Sequence, residues 1–146
     1  MAITRQPPET IWLGGARTEI NDRAASESVT PGHLVELFNS SGTIRYRKHG
    51  TAGALTPAQI ATEASMLNKG VDDVYAANDL IEVSHAAKGS TWWMLIASGQ
   101  NIVAGNELES AGDGTLRILN SGEALFTAIE NKPTVLVTTR IRVEAL

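Results

Sequence analysis

The chain contains no cysteine. Disulfides, thiolate nucleophiles and Cys-based zinc sites are therefore excluded. Aromatic residues are scarce, at 5%, so the core has to be built largely from Val, Ile, Leu and Ala. Such a core buries modest area per residue and favours stabilisation by association. No apolar run approaches the ~20 residues of a membrane-spanning helix. The opening MAITRQPPET lacks the apolar stretch of a secretion signal, and a soluble product of a cytosol is expected. Cations are outnumbered, giving a formal net charge of −4, which argues against a general binder of nucleic acid or acidic membrane. Serine-hydrolase elbows, HExxH, phosphate-binding loops and dinucleotide fingerprints are all absent. No enzyme, no cofactor and no catalytic residue is expected.

What the chain has in quantity is turn chemistry around short apolar runs. Thirteen glycines punctuate 146 residues, enough for one domain and a tail. From Asp79 to Leu119 four β-rich runs follow one another: Leu80–His85, Thr91–Ala97, Ile102–Leu108 and Thr115–Leu119. Each ends in glycine or a small polar cluster, a spacing that indicates an antiparallel sandwich or barrel. Asp113-Gly114 is the strongest turn among them, because a tight hairpin needs positive φ. Upstream, His33–Leu37 and Thr43–His49 read as two strands joined by Asn39-Ser40-Ser41-Gly42. Downstream, Glu123–Glu130 fits helix or strand equally, and Thr134–Ala145 alternates as the clearest strand in the chain.

Residues 1–28 differ in character. Pro7-Pro8 forces extended backbone, and no helical or strand period persists from there to Glu27. Ile11-Trp12-Leu13 is costly to leave in water, since burying one such side chain contributes about 2–3 kcal/mol. The segment is expected to be an extended arm, with residues 29–146 as the domain. Its tryptophan either tucks onto its own domain or packs on a neighbouring chain, and 28 extended residues reach roughly 90–100 Å.

Candidate chemistry is thin. His33, His49 and His85 have no metal-ligand spacing, and Asp72, Asp73 and Asp79 lack the pattern of a calcium loop. No metal site is expected. Adjacent strand residues face opposite ways, so at most one of Trp92 and Trp93 enters the core; the other marks a subunit contact or a platform for sugar rings. Arg45, Arg47, Lys48, Arg140 and Arg142 would form a basic stripe if their strands were neighbours. Between Gly50 and Gly70, Thr56-Pro57-Ala58-Gln59 carries helix-start signals and Gly70 a stop.

The order of motifs resembles the capsid cement, or head decoration, proteins of tailed bacteriophages. Thr30–Glu36 opens the series, followed by Ala61-Thr62-Glu63, Asn68–Asp79, Ile102–Leu108, Ala111–Leu116 and the closing Arg140-Ile141-Arg142-Val143. The resemblance covers about residues 29–146 and leaves the N-terminal segment outside. It implies a mainly β fold, a small antiparallel barrel or sandwich. It also implies a subunit bound to the major capsid protein on the exterior of a phage head, made in the host bacterial cytoplasm. Trimers are favoured and dimers occur. It implies a short strand at Gln59–Glu63 in place of the helix. Contacts with capsid or sister subunits are expected at Ile11, Trp12, Leu13, Arg45, Arg47 and Trp93. The competing class is a carbohydrate- or receptor-binding β-module using Trp92 or Trp93.

Overall fold

The computed structural model of the chain describes residues 7–146. It is almost entirely β, in three sheets. The chain order is β1 (Trp12–Gly14), β2 (Arg17–Ala24), β3 (Val35–Ser40), β4 (Thr43–Lys48), β5 (Gln59–Ala61), β6 (Leu80–Ala86), β7 (Thr91–Ile96), β8 (Glu107–Ser110), β9 (Leu116–Ile118), β10 (Phe126–Ala128) and β11 (Thr139–Ala145). One 3₁₀ turn, Ser65–Leu67, precedes β6.

The largest sheet closes on itself. Its order is β7-β11-β10-β8-β9, and β9 returns to β7 in parallel at Leu116↔Ile96. The result is a five-stranded barrel with β1 added along the first half of β7 at Trp12↔Trp92. Strand alternation fills it. Trp92, Met94 and Ile96 of β7, with Ile141, Val143 and Ala145 of β11, are buried in one cluster with Leu108, Leu116 and Phe126.

A second core lies between the sheet β2-β6-β5 and the base of the β3–β4 hairpin. It contains Val35, Tyr46, Ala61, Tyr75, Ile81 and Val83. Two short stretches serve both cores through the two-residue period. Leu34 and Ile60 face the barrel core, while their neighbours Val35 and Ala61 face the second. Leu34 and Ile60 are bridged to each other.

This double duty explains why Thr56–Gly70 is not a helix. A helix presents one apolar stripe, whereas Ile60 and Ala61 must bury in opposite directions. Sheet pairing with β6 overrides the local caps, and only Gln59–Ala61 is strand. Two other expectations are corrected. The run Ile102–Leu108 is broken by Gly105 at φ +95°, so Ile102 only bridges Lys132 and β8 starts at Glu107. The long C-terminal strand starts at Thr139, not Thr134. Thr134 sits at φ +55°, and Val135 is turned back into the barrel, its N–H donating to Gln100 O and its carbonyl accepting from Gly99 N–H.

The expected boundary at residue 28 does not separate an arm from a domain. Ile11 is buried in the barrel core, its carbonyl accepts the Trp93 N–H and its own N–H donates to Glu63 Oε2. β2 runs antiparallel along β6 from Arg17↔Ala86 to Ala24↔Leu80. From Ile11 onward the segment is thus part of the domain; residues 1–6 lie outside the described residues. The outer edge of β2 is protected by charge and by an irregularity between Ile20 and Arg23, both devices that blunt edge pairing.

One buried carboxylate ties loops to the barrel. Glu109 of β8 is inaccessible to solvent and accepts from Arg117 Nε at 2.8 Å and Gly122 N–H at 2.7 Å. Burial alone would raise its pKa, but these bonds outweigh it and hold the carboxyl below the ordinary glutamate value. Glu109→Ala is expected to cost about 3 kcal/mol, because it strands partners that were aimed at a charge. Glu109→Gln, which keeps one acceptor, should lose less; equal midpoints in urea for wild type and Glu109→Ala would contradict this.

Candidate interaction surfaces

The two adjacent tryptophans part company as strand geometry requires. Trp92 is fully buried and donates its indole N–H to Ser90 Oγ at 2.8 Å. It is unavailable to any ligand. Trp93 lies on the outer face of the barrel, partly buried, with the Arg140 guanidinium 5.2 Å from its ring centroid. Trp12 is also partly buried and is capped by Arg17 at 4.2 Å. Its buried indole N–H has no acceptor among the described residues. Of the expected contact residues, Ile11 is core, Trp12 and Leu13 lie in β1 beside β7, and Trp93 is on the neighbouring outer face. Arg45 and Arg47 sit elsewhere, on the hairpin.

The basic stripe does not form. Arg45 and Arg47 belong to β4 in the two-stranded sheet, and Arg140 and Arg142 to β11 in the barrel. Each also has a local partner. Arg47 bonds Glu36 at 2.8 Å while stacking over Phe38, and Arg45 bonds Asn78. Arg140 bonds Asp72 and the carbonyls of Pro31 and Val71; Arg142 bonds Glu130 at 2.7 Å. Pairs of this kind fasten loops to strands more than they advertise a cationic field.

The histidines are dispersed. His49 Nδ1 is 2.6 Å from Ser110 Oγ, and His85 Nε2 is 2.6 Å from Gln59 Nε2. His33 Nδ1 accepts the Thr30 N–H at 3.0 Å. Among the described residues no group of three or more His, Asp or Glu side chains is placed to hold a metal. No helix there is long and apolar enough to cross a membrane.

His33 nevertheless matters for stability. Burial, then the nearby Lys48, lowers its pKa from 6.5 to about 4, with Asp113 opposing and Arg140 assisting. A depressed histidine pKa means that the unfolded chain takes up the proton first as pH falls. Its stabilising contribution is full above pH 6.5 and is lost progressively down to about 4, on the order of 3 kcal/mol. His33→Asn keeps an acceptor for Thr30 without titrating. Between pH 7 and 4.5 wild type should lose about 2 kcal/mol more than His33→Asn in urea melts; parallel losses would contradict the assignment.

Two of the concavities are lined mainly by polar side chains. One of about 240 Å³ is lined by Glu19, Asn21, Thr62 and Glu82, and one of about 310 Å³ by Glu27, Arg47, Lys48 and Asp113. Burial, then Glu19 and Glu63, raises the Glu82 pKa. What the surface does offer is exposed apolar side chains. Met66, Leu67, Val74 and Leu80 gather around the 3₁₀ turn and the start of β6, and Leu136 and Val137 project from the loop before β11. Sequence reading missed both groups. The first hides behind helix-like caps, and the second inside an apparently regular strand.

No protein-family model matches the chain, and no curated protein matches its sequence. Among solved structures the fold is similar to the N base of the head fiber gp8.5 of bacteriophage phi29. The TM-score is 0.60 and the identity 14%, covering 90% of this chain and 95% of that one. The mainly β, small-barrel architecture is thus shared across nearly the full length of both chains.

Proposed function

We propose that this chain is a structural protein of a bacteriophage virion. It binds the outer surface of the capsid as a homo-oligomer, trimer favoured, and cements neighbouring major capsid subunits against internal DNA pressure. The observation that carries the reading is the fold shared with the head fiber base of phi29, over 90% of this chain. The motif order points the same way, and the exposed apolar side chains around the 3₁₀ turn and before β11 offer surface for contacts. The action is mechanical. A subunit bridging several shell proteins adds contacts that must break before the shell opens, and several weak contacts made at once combine into firm retention. No chemistry is performed.

The test compares phage heads assembled with and without this protein. Heads that carry it should retain DNA to higher temperature or through stronger osmotic shock. Equal release curves for the two preparations would remove the cementing role.

A further inference from the structure

We propose that the contact between the β3–β4 hairpin and the β8–β9 turn is an acid-released latch, opened by protonation of His33 and His49 while β7 and β11 stay paired.

Three segments distant in sequence meet there in a ring of backbone bonds. Leu34 N–H donates to Gly114 O at 2.8 Å, Gly114 N–H to His49 O at 3.1 Å, and His49 N–H to Leu34 O at 2.9 Å. The ring thus joins the residue before β3, the residue after β4 and the turn between β8 and β9. It has little slack. A Cβ on Gly114 would lie 2.9 Å from Lys48 and 3.1 Å from His33.

The two imidazoles beside this ring are placed to stay neutral. His33 Nδ1 accepts the Thr30 N–H, so a second proton would enter at Nδ1 and set one N–H against another. His49 is 2% exposed. Its Nδ1 is 2.6 Å from Ser110 Oγ, which accepts the Gly112 N–H, and its Nε2 is 3.6 Å from Glu36 Oε2. With the Ser110 hydroxyl donating to Nδ1, the imidazole proton faces Glu36, and a second proton has to turn that hydroxyl away. The charges around the pair are mixed. At His33, Lys48 of β4 and Arg140 of β11 oppose a cation, and Asp113 of the turn favours it. At His49, Glu36 of β3 favours a cation and Arg47 of β4 opposes it. Burial is the largest influence on both and lowers both pKa values.

The strand beyond the turn is held lightly, which lets the opening be local. β9 has three residues and meets β7 at the single pair Leu116↔Ile96, whereas β7 and β11 are matched at six positions. Once the turn lifts, water reaches both rings and their pKa values return towards 6.5, so acid favours the open form. For His33 alone, moving between about 4 and 6.5, the open fraction should rise about 50-fold from pH 7 to pH 4.5.

Amide hydrogen exchange of the full chain tests this. Protection, corrected for the pH dependence of the intrinsic exchange rate, is read at residues 34, 49 and 114 and along β7 and β11. In wild type the three latch amides should lose about 50-fold or more in protection from pH 7 to pH 4.5. At the lower pH they should exchange faster than the amides of β7 and β11. The double variant His33→Asn, His49→Asn should hold the same three amides near their pH 7 protection; His33→Asn alone replaces it if the double variant does not fold. Equal protection at the latch and along β7 and β11 at pH 4.5 would mean that the contact opens only with the whole domain, and overturns the inference. A latch whose protection does not change with pH, or falls as steeply in the variant as in wild type, overturns it as well.

Discussion

Deletion of residues 1–28 is expected to yield a chain that does not fold. The deletion removes Ile11, at 0% exposure in the barrel core, and β1 from the side of β7. It also removes all of β2 from β6, together with Ala25 of the second core. Truncating a buried isoleucine to alanine alone costs about 2–5 kcal/mol. Stripping a whole strand adds lost backbone pairing and exposes the apolar face of β6. Against a total stability of about 5–15 kcal/mol for a domain, the sum leaves nothing. Circular dichroism and amide dispersion of the truncated chain read the outcome, and Ile11→Ala gives a graded version in urea. A cooperative unfolding transition in the truncated protein would show that the segment is dispensable.

The second large effect separates the tryptophans. Trp92→Ala should cost about 3–5 kcal/mol. It empties a fully buried site beside Met94 and Val143 and leaves Ser90 without its indole donor. Trp93→Ala, on the outer face under Arg140, should cost about 1 kcal/mol, the scale of a partly exposed cation–π contact. At a few degrees per kcal/mol for a chain of this length, the melting temperatures of the two variants should differ by roughly 10 °C. Similar melting temperatures would mean that the inward and outward assignments fail.

Several strands of the barrel and of the second sheet were legible because strand period and turn chemistry agreed. β6, β7 and β9 fall where Leu80–His85, Thr91–Ala97 and Thr115–Leu119 were expected. The glycine of Asp113-Gly114 takes φ +85°. There a Cβ would lie 2.9 Å from Lys48, so the turn needs glycine for space as well as for conformation. The residues that escaped were those whose partners are distant in sequence. Ile11 carries no periodic signal, because its backbone partners, Trp93 N–H and Glu63, and the barrel core that buries it lie far along the chain. Val135 alternates properly with Val137, yet the loop at Gly99 and Gln100 turns it inward and ends the strand pattern. The arginines looked like one stripe because side-chain type was visible and sheet membership was not. The exposed apolar group around the 3₁₀ turn was hidden for a related reason: Leu67 and Leu80 line one concavity only after the 3₁₀ turn and β6 are placed.

On the function proposed, this barrel acts from the outside of a phage head, gripping shell proteins by shape and valency. Imaging of intact particles bearing and lacking the chain tests it most directly. The expected result is difference density of barrel size on the exterior surface, seated across junctions between major capsid subunits. Density confined to the head interior or the tail, or no density difference at all, would contradict the account.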